Sequence, residues 1–290
     1  MHKLRESQKK SRMKTHILLI TCDDAIGIVA RVTGAIFQHG LNVIRNGEFV
    51  EQEASRFFMR TEVEGDLDES ELLSELRSFL PPGAVVRIAE KREKRIIVFA
   101  TREPNCLGDL LVQCAFNNLN AEILSVVSNH DHLGSLVKSF GYPFHHIPHQ
   151  GLSREEHEKE ILERIEPYQA DYLVLAKYMR ILTPEFVTQY QNRIVNIHHS
   201  FLPAFVGANP YNQAFQRGVK IIGATAHFVN DGLDEGPIIA QNIGPIDHQF
   251  GLKEIVRTGH NIEKMVLARA LHLVLTDRVF VSGNKTIIFD

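Results

Sequence analysis

The chain has 290 residues, of which 44% are hydrophobic and 23% are charged, as is typical of a folded globular protein. No apolar run approaches the roughly 20 residues needed to cross a bilayer, so we expect no integral membrane protein and no membrane partner. The net charge of -3 and a pI near 6.6 give no electrostatic reason for a polyanionic partner, which argues against nucleic acid.

The N-terminal segment predicts a tail and no export signal. Residues 1–14 are basic, but the apolar stretch that follows at 17–20 is too short for a secretory signal. We expect residues 1–14 to be a disordered tail outside the fold. Cys22, Cys106 and Cys114 form no paired or CxxC pattern, which is typical of reduced thiols. The sequence therefore favours a cytoplasmic location.

Residues 15–90 are predicted to form a first domain with the element order βαββαβ. Gly40 closes the first helical pattern, and Pro81, Pro82 and Gly83 end the second. This order predicts a ferredoxin-like arrangement, with an antiparallel sheet and both helices on one face. The expected elements are strand 16–23, helix 28–40, strands 43–51 and 56–64, helix 68–80 and strand 84–90.

Residues 91–95 are charged and contain no apolar residue, so they are predicted to be a linker to a second domain at 96–290. The strands of this domain are continuous apolar runs, which indicates a sheet buried on both faces. We therefore expect a Rossmann-like, doubly wound, mostly parallel α/β domain. Its elements are strand 95–101, helix 110–116, strand 122–128, a short helix, strand 144–148, helix 154–165, strand 172–176, a short helix after 184, strands 193–199, 224–229 and 237–246, helix 252–275 and strand 285–289.

Several polar side chains lie at the end of the predicted strand 193–199. Asn196, His198 and Ser200 stand at alternate positions, so they project from one side if strand geometry persists, whereas His199 is expected to point away and be structural. Asp234 lies in a glycine-rich loop after the next strand. If the two strands are neighbours, an amide, an imidazole and a carboxylate meet in one crevice.

Those three groups suffice for acyl transfer or hydrolysis without a metal. The amide of Asn196 donates to an oxygen that gains negative charge, His198 moves a proton, and Asp234 orients the imidazole and activates water. Each residue also has an ordinary interpretation taken singly. Asp234 fits a turn, Asn196 fits a strand cap, and His198 fits a surface or internal histidine. The functional interpretation depends on their occurring together.

The motif NIHHSFLP at 196–203, with Asp234 in LDEGP, resembles the catalytic motif of formyltransferase-fold enzymes that use 10-formyltetrahydrofolate. The resemblance implies that Asn196, His198 and Asp234 are catalytic. The segment YMRIL at 178–182 resembles the folate-binding loop of this family, whose backbone binds the pterin. The folate-binding residues that the resemblance implies are Met179, Arg180, Ile181, Leu182, Val229, Asn230, Asp231 and Glu235.

The loop at 23–29 resembles the ligand loop of ACT domains, which commonly bind amino acids between paired domains. The implied regulatory residues are Asp23, Gly27 and Ile28, and the implied effectors are glycine and methionine. Asp23 also fits a helix cap, and dimerisation is an alternative role for the domain. The resemblance further implies a homo-oligomer, a dimer or a tetramer. An ACT-type domain joined to a formyltransferase-fold domain resembles the formyltetrahydrofolate deformylase family.

The turn after the first strand of the second domain helps to choose a reaction. A phosphorylated acceptor favours a glycine-rich turn at a helix N-terminus, but here Pro104 removes a donor and Glu103 and Asp109 repel phosphate. No basic cluster outside the tail and the linker would bind tRNA. We therefore expect hydrolysis of 10-formyltetrahydrofolate to formate and tetrahydrofolate, which by the resemblance supplies formate for purine synthesis. The alternatives are transfer to an amine, as in a glycinamide ribonucleotide transformylase, and a non-catalytic sensor of folate or amino acids.

A histidine cluster raises metal binding as an alternative. His145, His146 and His149 fall within five residues, and imidazole is a common metal ligand. His145 and His146 are adjacent in a predicted strand, where neighbouring side chains face opposite ways, so they are poorly placed to share an ion. One or more of them could instead line the crevice. We expect neither a metal nor another cofactor.

Overall fold

The computed structural model describes residues 14–203 and 210–290, so residues 1–13, most of the predicted tail, lie outside the described part. The chain divides into two compact units, and the division falls between Arg92 and Glu93. None of the described helices is both long enough and apolar enough to span a membrane.

The first unit consists of β1 (Thr15–Asp23), α1 (Ile28–Gln38), β2 (Asn42–Glu51), β3 (Arg56–Glu64), α2 (Glu69–Phe79) and β4 (Val85–Glu90). Its four strands lie in the order β2-β3-β1-β4, and all neighbouring pairs are antiparallel. Leu18 and Ile20, two residues apart on β1, pack in one core with Val32 of α1 and Leu72 of α2. Both helices thus cover one face of the sheet, which confirms the predicted ferredoxin-like domain.

The second unit consists of β5 (Lys94–Ala100), α3 (Pro104–Ala115), β6 (Ala121–Ser128), α4 (Gly134–Ser139), β7 (Phe144–His146), α5 (Arg154–Ile165), β8 (Tyr172–Leu175), α6 (Pro184–Gln189), β9 (Ile194–His198), α7 (Pro210–Arg217), β10 (Ile221–Phe228), β11 (Ile238–Pro245), α8 (Leu252–Leu275), β12 (Val279–Ser282) and β13 (Lys285–Ile288). Seven strands form one sheet in the order β11-β10-β9-β8-β5-β6-β7. The strands from β9 to β7 are parallel to one another, whereas β10 and β11 are antiparallel to their neighbours.

Two hydrophobic cores cover the two faces of this sheet. Val98 of β5 packs in one core with Leu107 of α3 and Leu267 of α8. The adjacent residue, Ile97, packs in the other core with Ile161 of α5. Because neighbouring strand residues are buried on opposite sides, the continuous apolar runs do mark a sheet covered on both faces. The predicted Rossmann-like, mostly parallel domain is confirmed.

Three local features differ from the sequence-based expectations. Lys94, expected in the linker, begins β5, and Arg95, expected where linker and strand meet, follows it in the strand. The Lys94 ammonium lies 2.8 Å from the carboxylate of Asp277, and Arg95 donates to the backbone carbonyl of Tyr168. These pairings tie both charged side chains to the second unit. Helix α3 begins at Pro104 instead of residue 110, because proline is well accommodated in a first turn. The predicted final strand corresponds to β13, which pairs with β12 in a separate two-stranded hairpin.

Candidate active site

The site lies between β9 and β10, which are antiparallel neighbours. Asn196 pairs with His227 and His198 pairs with Thr225, so these four side chains share one face of the sheet. The expectation that the two strands adjoin is therefore met. Their antiparallel direction was not anticipated, and it means that the loop after β10 must fold back to bring Asp234 to His198.

A close backbone approach makes this return possible. A Cβ atom on Gly236 would lie 1.7 Å from the carbonyl oxygen of Phe228, so only glycine fits there. The backbone N–H of Phe228 donates to the carbonyl of Pro237 at 2.9 Å and closes the loop. Asp234 itself has a left-handed φ of 56°, which aspartate tolerates better than most residues. The loop thereby directs the Asp234 carboxylate towards β9.

Asn196, His198 and Asp234, the three predicted catalytic residues, lie together. The His198 Nδ1 atom is 3.2 Å from Asp234 Oδ2, and the Asn196 amide nitrogen is 3.4 Å from Asp234 Oδ1. The other ring nitrogen of His198, Nε2, is buried and has no hydrogen-bond partner among the described residues. A histidine that is oriented by a carboxylate through one nitrogen and free at the other is suited to act on a bound substrate.

Asp234 is ionised in this environment. Burial raises the pKa of its carboxyl group, but the hydrogen bonds from His198 and His227 and the charge of both rings outweigh that effect. The net result is a pKa well below the ordinary value. A permanent negative charge beside Nδ1 keeps a proton on that nitrogen and leaves Nε2 to the substrate.

His227 belongs to the cluster, although the sequence reasoning did not identify it. Its Nε2 atom is 3.2 Å from the Asn196 amide nitrogen and 3.5 Å from Asp234 Oδ1. Its Nδ1 atom lies 2.8 Å from the carbonyl oxygen of Phe228, and because a carbonyl only accepts, Nδ1 carries a proton. The available signal was its place in the strand that leads into the Asp234 loop.

His199 does not point away from His198, and that expectation was wrong. The two rings stack with centroids 5.1 Å apart and planes 27° apart, and both residues line the same pocket. The reason is that β9 ends at His198, so strand alternation no longer applies to the next residue. Burial lowers the pKa of His199 most, and the charges of Lys177 and His198 lower it further, to about 3 in all. His199 is therefore neutral at physiological pH.

A pocket of about 300 Å³ opens beside the cluster. The exposed apolar side chains of Met179, Ile181 and Leu233 lie at its wall, which suits a flat, largely apolar ring. Of the eight residues expected to bind folate, seven line this pocket. Glu235 does not: it is exposed, and its side chain folds against Gly232. The seven are Met179, Arg180, Ile181, Leu182, Val229, Asn230 and Asp231.

Buried hydrogen bonds hold both ends of the segment at 178–182. After it, Glu158 of α5 accepts from the backbone N–H of Thr183 at 2.9 Å and from its hydroxyl. Before it, the hydroxyl of Thr101 donates to the carbonyl of Lys177 at 2.9 Å. Glu158 and Thr183 are both buried, so water competes little for these bonds. Both ends of this part of the pocket wall are thus tied to buried neighbours.

Glu103 gives negative charge to the turn before α3. A hydrogen bond from His260 lowers its pKa most, burial opposes this, and the charge of Lys177 lowers the pKa further, to about 2. Pro104 stands in the first turn of the helix and offers no N–H. An ionised carboxylate therefore lies where a helix N-terminus would otherwise attract phosphate, which supports the expectation that no phosphorylated acceptor binds here.

Comparison with known proteins places the chain in a family. A formyl transferase model matches residues 94–271 and an ACT domain model matches residues 16–80. The formyltetrahydrofolate deformylase of Escherichia coli O6:H1 is 52% identical over 276 residues, which make up 95% of this chain and 99% of that protein. The chain belongs to the formyltetrahydrofolate deformylase family. The resemblance inferred from the motifs is thereby confirmed.

Solved structures agree with this assignment. A formyltetrahydrofolate deformylase from Pseudomonas syringae pv. tomato has a TM-score of 0.91 at 39% identity and covers 97% of this chain and 96% of its own. Glycinamide ribonucleotide transformylase 1 from Symbiobacterium toebii has a TM-score of 0.66 at 30% identity, over 69% of this chain and 96% of its own. The deformylase family thus shares part of its architecture with enzymes named for an amine substrate.

The histidines considered as metal ligands lie apart from this site. His145 Nε2 lies 2.8 Å from the Tyr168 hydroxyl, His149 Nδ1 lies 3.2 Å from the amide of Asn129, and neither they nor His146 line the described pocket. Within residues 14–203 and 210–290, one trio of side chains is close enough to share an ion: Glu103, His260 and Glu263. The ammonium of Lys177 already lies between its two carboxylates.

In the ACT domain, Asp23 does not cap α1, contrary to one expectation. It belongs to β1, and its carboxylate pairs with Arg56 at 2.7 Å. The residue before α1 is Gly27, with a φ of 83° and no side-chain cap. Ile28 is buried in the core of this unit, so its side chain is not presented to a ligand. Of the three expected regulatory residues, Asp23 and Gly27 are exposed and Ile28 is buried.

Proposed function

We propose that the chain hydrolyses 10-formyltetrahydrofolate to formate and tetrahydrofolate without a metal or another cofactor. The observation that carries this proposal is the pairing of His198 Nδ1 with Asp234 beside a pocket, with Nε2 left without a partner among the described residues. Membership of the deformylase family supports the same reaction.

In the proposed mechanism the pterin lies between segments 178–182 and 229–234, and the formyl group lies beside His198. Asp234 and His198 hold a water molecule, whose oxygen attacks the formyl carbon as one of its protons moves to Nε2 of His198, which later passes that proton to N10. Asn196 and protonated His198 donate hydrogen bonds to the tetrahedral oxyanion. The bond from carbon to N10 then breaks, N10 takes a proton, and formate leaves. The 3.4 Å contact between Asn196 and Asp234 is long, so the amide can turn to the oxyanion when substrate binds.

The test is the absorbance of 10-formyltetrahydrofolate during incubation with the protein and no added acceptor. A deformylase converts the substrate, a transferase converts it only after an amine is added, and a sensor leaves the spectrum unchanged. Asp234→Asn and His198→Ala should each lower kcat by about 10²–10⁴-fold with the circular dichroism unchanged, because each removes a group that handles the proton. Formate release near the normal rate from either variant would remove that residue from the mechanism.

Three further parts of this proposal concern the setting of the enzyme. We propose glycine and methionine as effectors at the ACT loop, a dimer or tetramer joined through this domain, and a cytoplasmic location where formate supplies purine synthesis. The buried, unpaired thiols of Cys22, Cys106 and Cys114 support a reducing compartment. Unchanged kinetics over millimolar concentrations of both amino acids would count against the effectors, and a monomeric mass in solution would count against the oligomer.

A further inference from the structure

Lys177 has an unusual backbone conformation. It follows β8 by two residues and has a φ of 64°, in the left-handed region. Glycine adopts this conformation freely, whereas a residue with a Cβ atom is strained by it. Such strain persists where the surrounding structure fixes the residue, which is common at functional sites. The contacts of the side chain therefore need an explanation.

The ammonium of Lys177 lies between two carboxylates. Its Nζ atom is 3.0 Å from Glu263 Oε1 and 3.5 Å from Glu103 Oε2. The Lys177 side chain is 4% exposed and that of Glu263 is fully buried, so the charges have little water around them. The hydroxyl of Tyr211 donates to the same oxygen of Glu263 at 2.5 Å. A positive charge is thus required at this point, and the chain itself supplies it.

The cluster of Lys177, Glu263 and Tyr211 borders the candidate active site. Lys177 lines the same pocket as His198 and His199. The ring of Tyr211, which binds Glu263, has its centroid 6.1 Å from that of His199. The carboxylates that hold the lysine are therefore close to the place where a nucleophile must approach the formyl carbon.

We propose that Lys177 determines the choice of nucleophile, by filling the space and the anionic site that an amine acceptor would need. A buried carboxylate, Glu263, and a partly exposed one, Glu103, beside a formyl donor are suited to bind a primary ammonium group and to take its proton. The transformylase from Symbiobacterium toebii, which shares part of this architecture, is named for glycinamide ribonucleotide, an amine. In this chain the ammonium of Lys177 already lies between the two carboxylates. Water remains the nucleophile because it is small and needs no anionic site.

The competing reaction balances without any further reactant. The amine nitrogen attacks the formyl carbon, the bond from that carbon to N10 breaks, and N10 takes the proton that the amine loses. The products are a formamide and tetrahydrofolate instead of formate and tetrahydrofolate. This inference rests on the proposed hydrolysis, and it concerns which of two nucleophiles receives the same formyl group.

The experiment compares Lys177→Gly with Lys177→Met. Glycine relieves the left-handed backbone and empties the side-chain space, whereas methionine fills a similar space without the charge. Each protein is incubated with 10-formyltetrahydrofolate and glycinamide, and mass spectrometry measures the ratio of N-formylglycinamide to formate. We expect Lys177→Gly to raise this ratio at least tenfold, and Lys177→Met to keep the ratio of the unmodified protein. Lys94→Met is the matched control, because Lys94 is another buried lysine paired with a carboxylate but does not line the pocket.

A second measurement needs no turnover. Glycinamide alone should raise the Tm of Lys177→Gly in a saturable manner and leave the Tm of the unmodified protein unchanged, because the vacated anionic site binds its ammonium. If Lys177→Gly does not fold, Lys177→Gly combined with Glu263→Gln leaves one carboxylate fewer without a partner. This double variant takes the product-ratio test, because it also empties the side-chain space. If the unmodified protein released no formate, the proposed function would be refuted, and the Tm response to glycinamide would still test the role of Lys177. A folded glycine variant with an unchanged product ratio and an unchanged Tm would overturn the inference, as would transfer by Lys177→Met.

Discussion

The contact between Gly236 and Phe228 makes a sharp prediction about the Asp234 loop. Gly236→Ala adds one carbon, which would lie 1.7 Å from the Phe228 carbonyl oxygen, whereas real Cβ atoms stay about 3.0 Å or more from such neighbours. The backbone must therefore move by roughly 1.3 Å. The hydrogen bond from the Phe228 N–H to the Pro237 carbonyl opposes that movement, because it ties the two ends of the loop together at 2.9 Å.

The displacement reaches the carboxylate of Asp234, which is two residues away. A misplacement near 1 Å costs about 100-fold in rate when a reaction depends on aligned groups, so we expect kcat to fall roughly 100-fold. Overpacking of this kind costs about 1–3 kcal/mol, and the Tm of a unit of this size falls by about 2–4 °C for each kcal/mol. We therefore expect a moderately less stable, folded protein that has lost most of its activity.

The assay measures kcat for formate release together with Tm. Gly108→Ala is the control, because a Cβ there has no neighbour within 4 Å and the residue lies within helix α3, where alanine is favoured. It should keep both activity and stability. If Gly236→Ala had a kcat within threefold of the unmodified protein, the close approach would not be what positions Asp234.

Three other predictions concern stability, substrate binding and metals. The folded pKa of His199 is about 3, well below the ordinary 6.5, so the stability that its neutral form contributes is present above pH 6.5 and is lost as pH falls towards 3, by about 1.4 kcal/mol per pH unit. Urea unfolding at pH 7.5 and pH 5 should therefore show that His199→Phe loses less unfolding free energy between the two pH values than the unmodified protein, and an equal loss would contradict this. Glu158→Ala should raise KM about tenfold with kcat little changed, since it frees Thr183 at the end of segment 178–182. Steady-state kinetics decide, and an unchanged KM would mean that the Glu158–Thr183 hydrogen bonds do not position this segment for the substrate. Dialysis against a chelator should leave kcat unchanged, and activity that disappears and returns with added metal would refute the metal-free mechanism.

Features with local causes were predictable from the sequence. The prediction for α5 at 154–165 matches its observed range, because Ser153 and Glu156 form a reciprocal cap that is visible as a motif. The prediction for α8 at 252–275 also matches. The direction of β10, by contrast, depends on pairing across the sheet, and no local pattern encodes it. The strand predicted at 285–289 matches β13, but its hairpin partner β12 was missed for the same reason.

The site shows the same division between local and long-range causes. Asn196, His198 and Asp234 were found because their residue types imply chemistry when they occur together. His227 joins them only through its register opposite Asn196, which a strand pattern does not specify. Lys177 is harder still, because the sequence shows only a lysine after an apolar strand, which would ordinarily extend into solvent. Its burial follows from partners 74 residues before and 86 residues after it in the chain, Glu103 and Glu263. Residues that decide which nucleophile reacts can therefore lie outside the catalytic motif, where three-dimensional contacts alone reveal them.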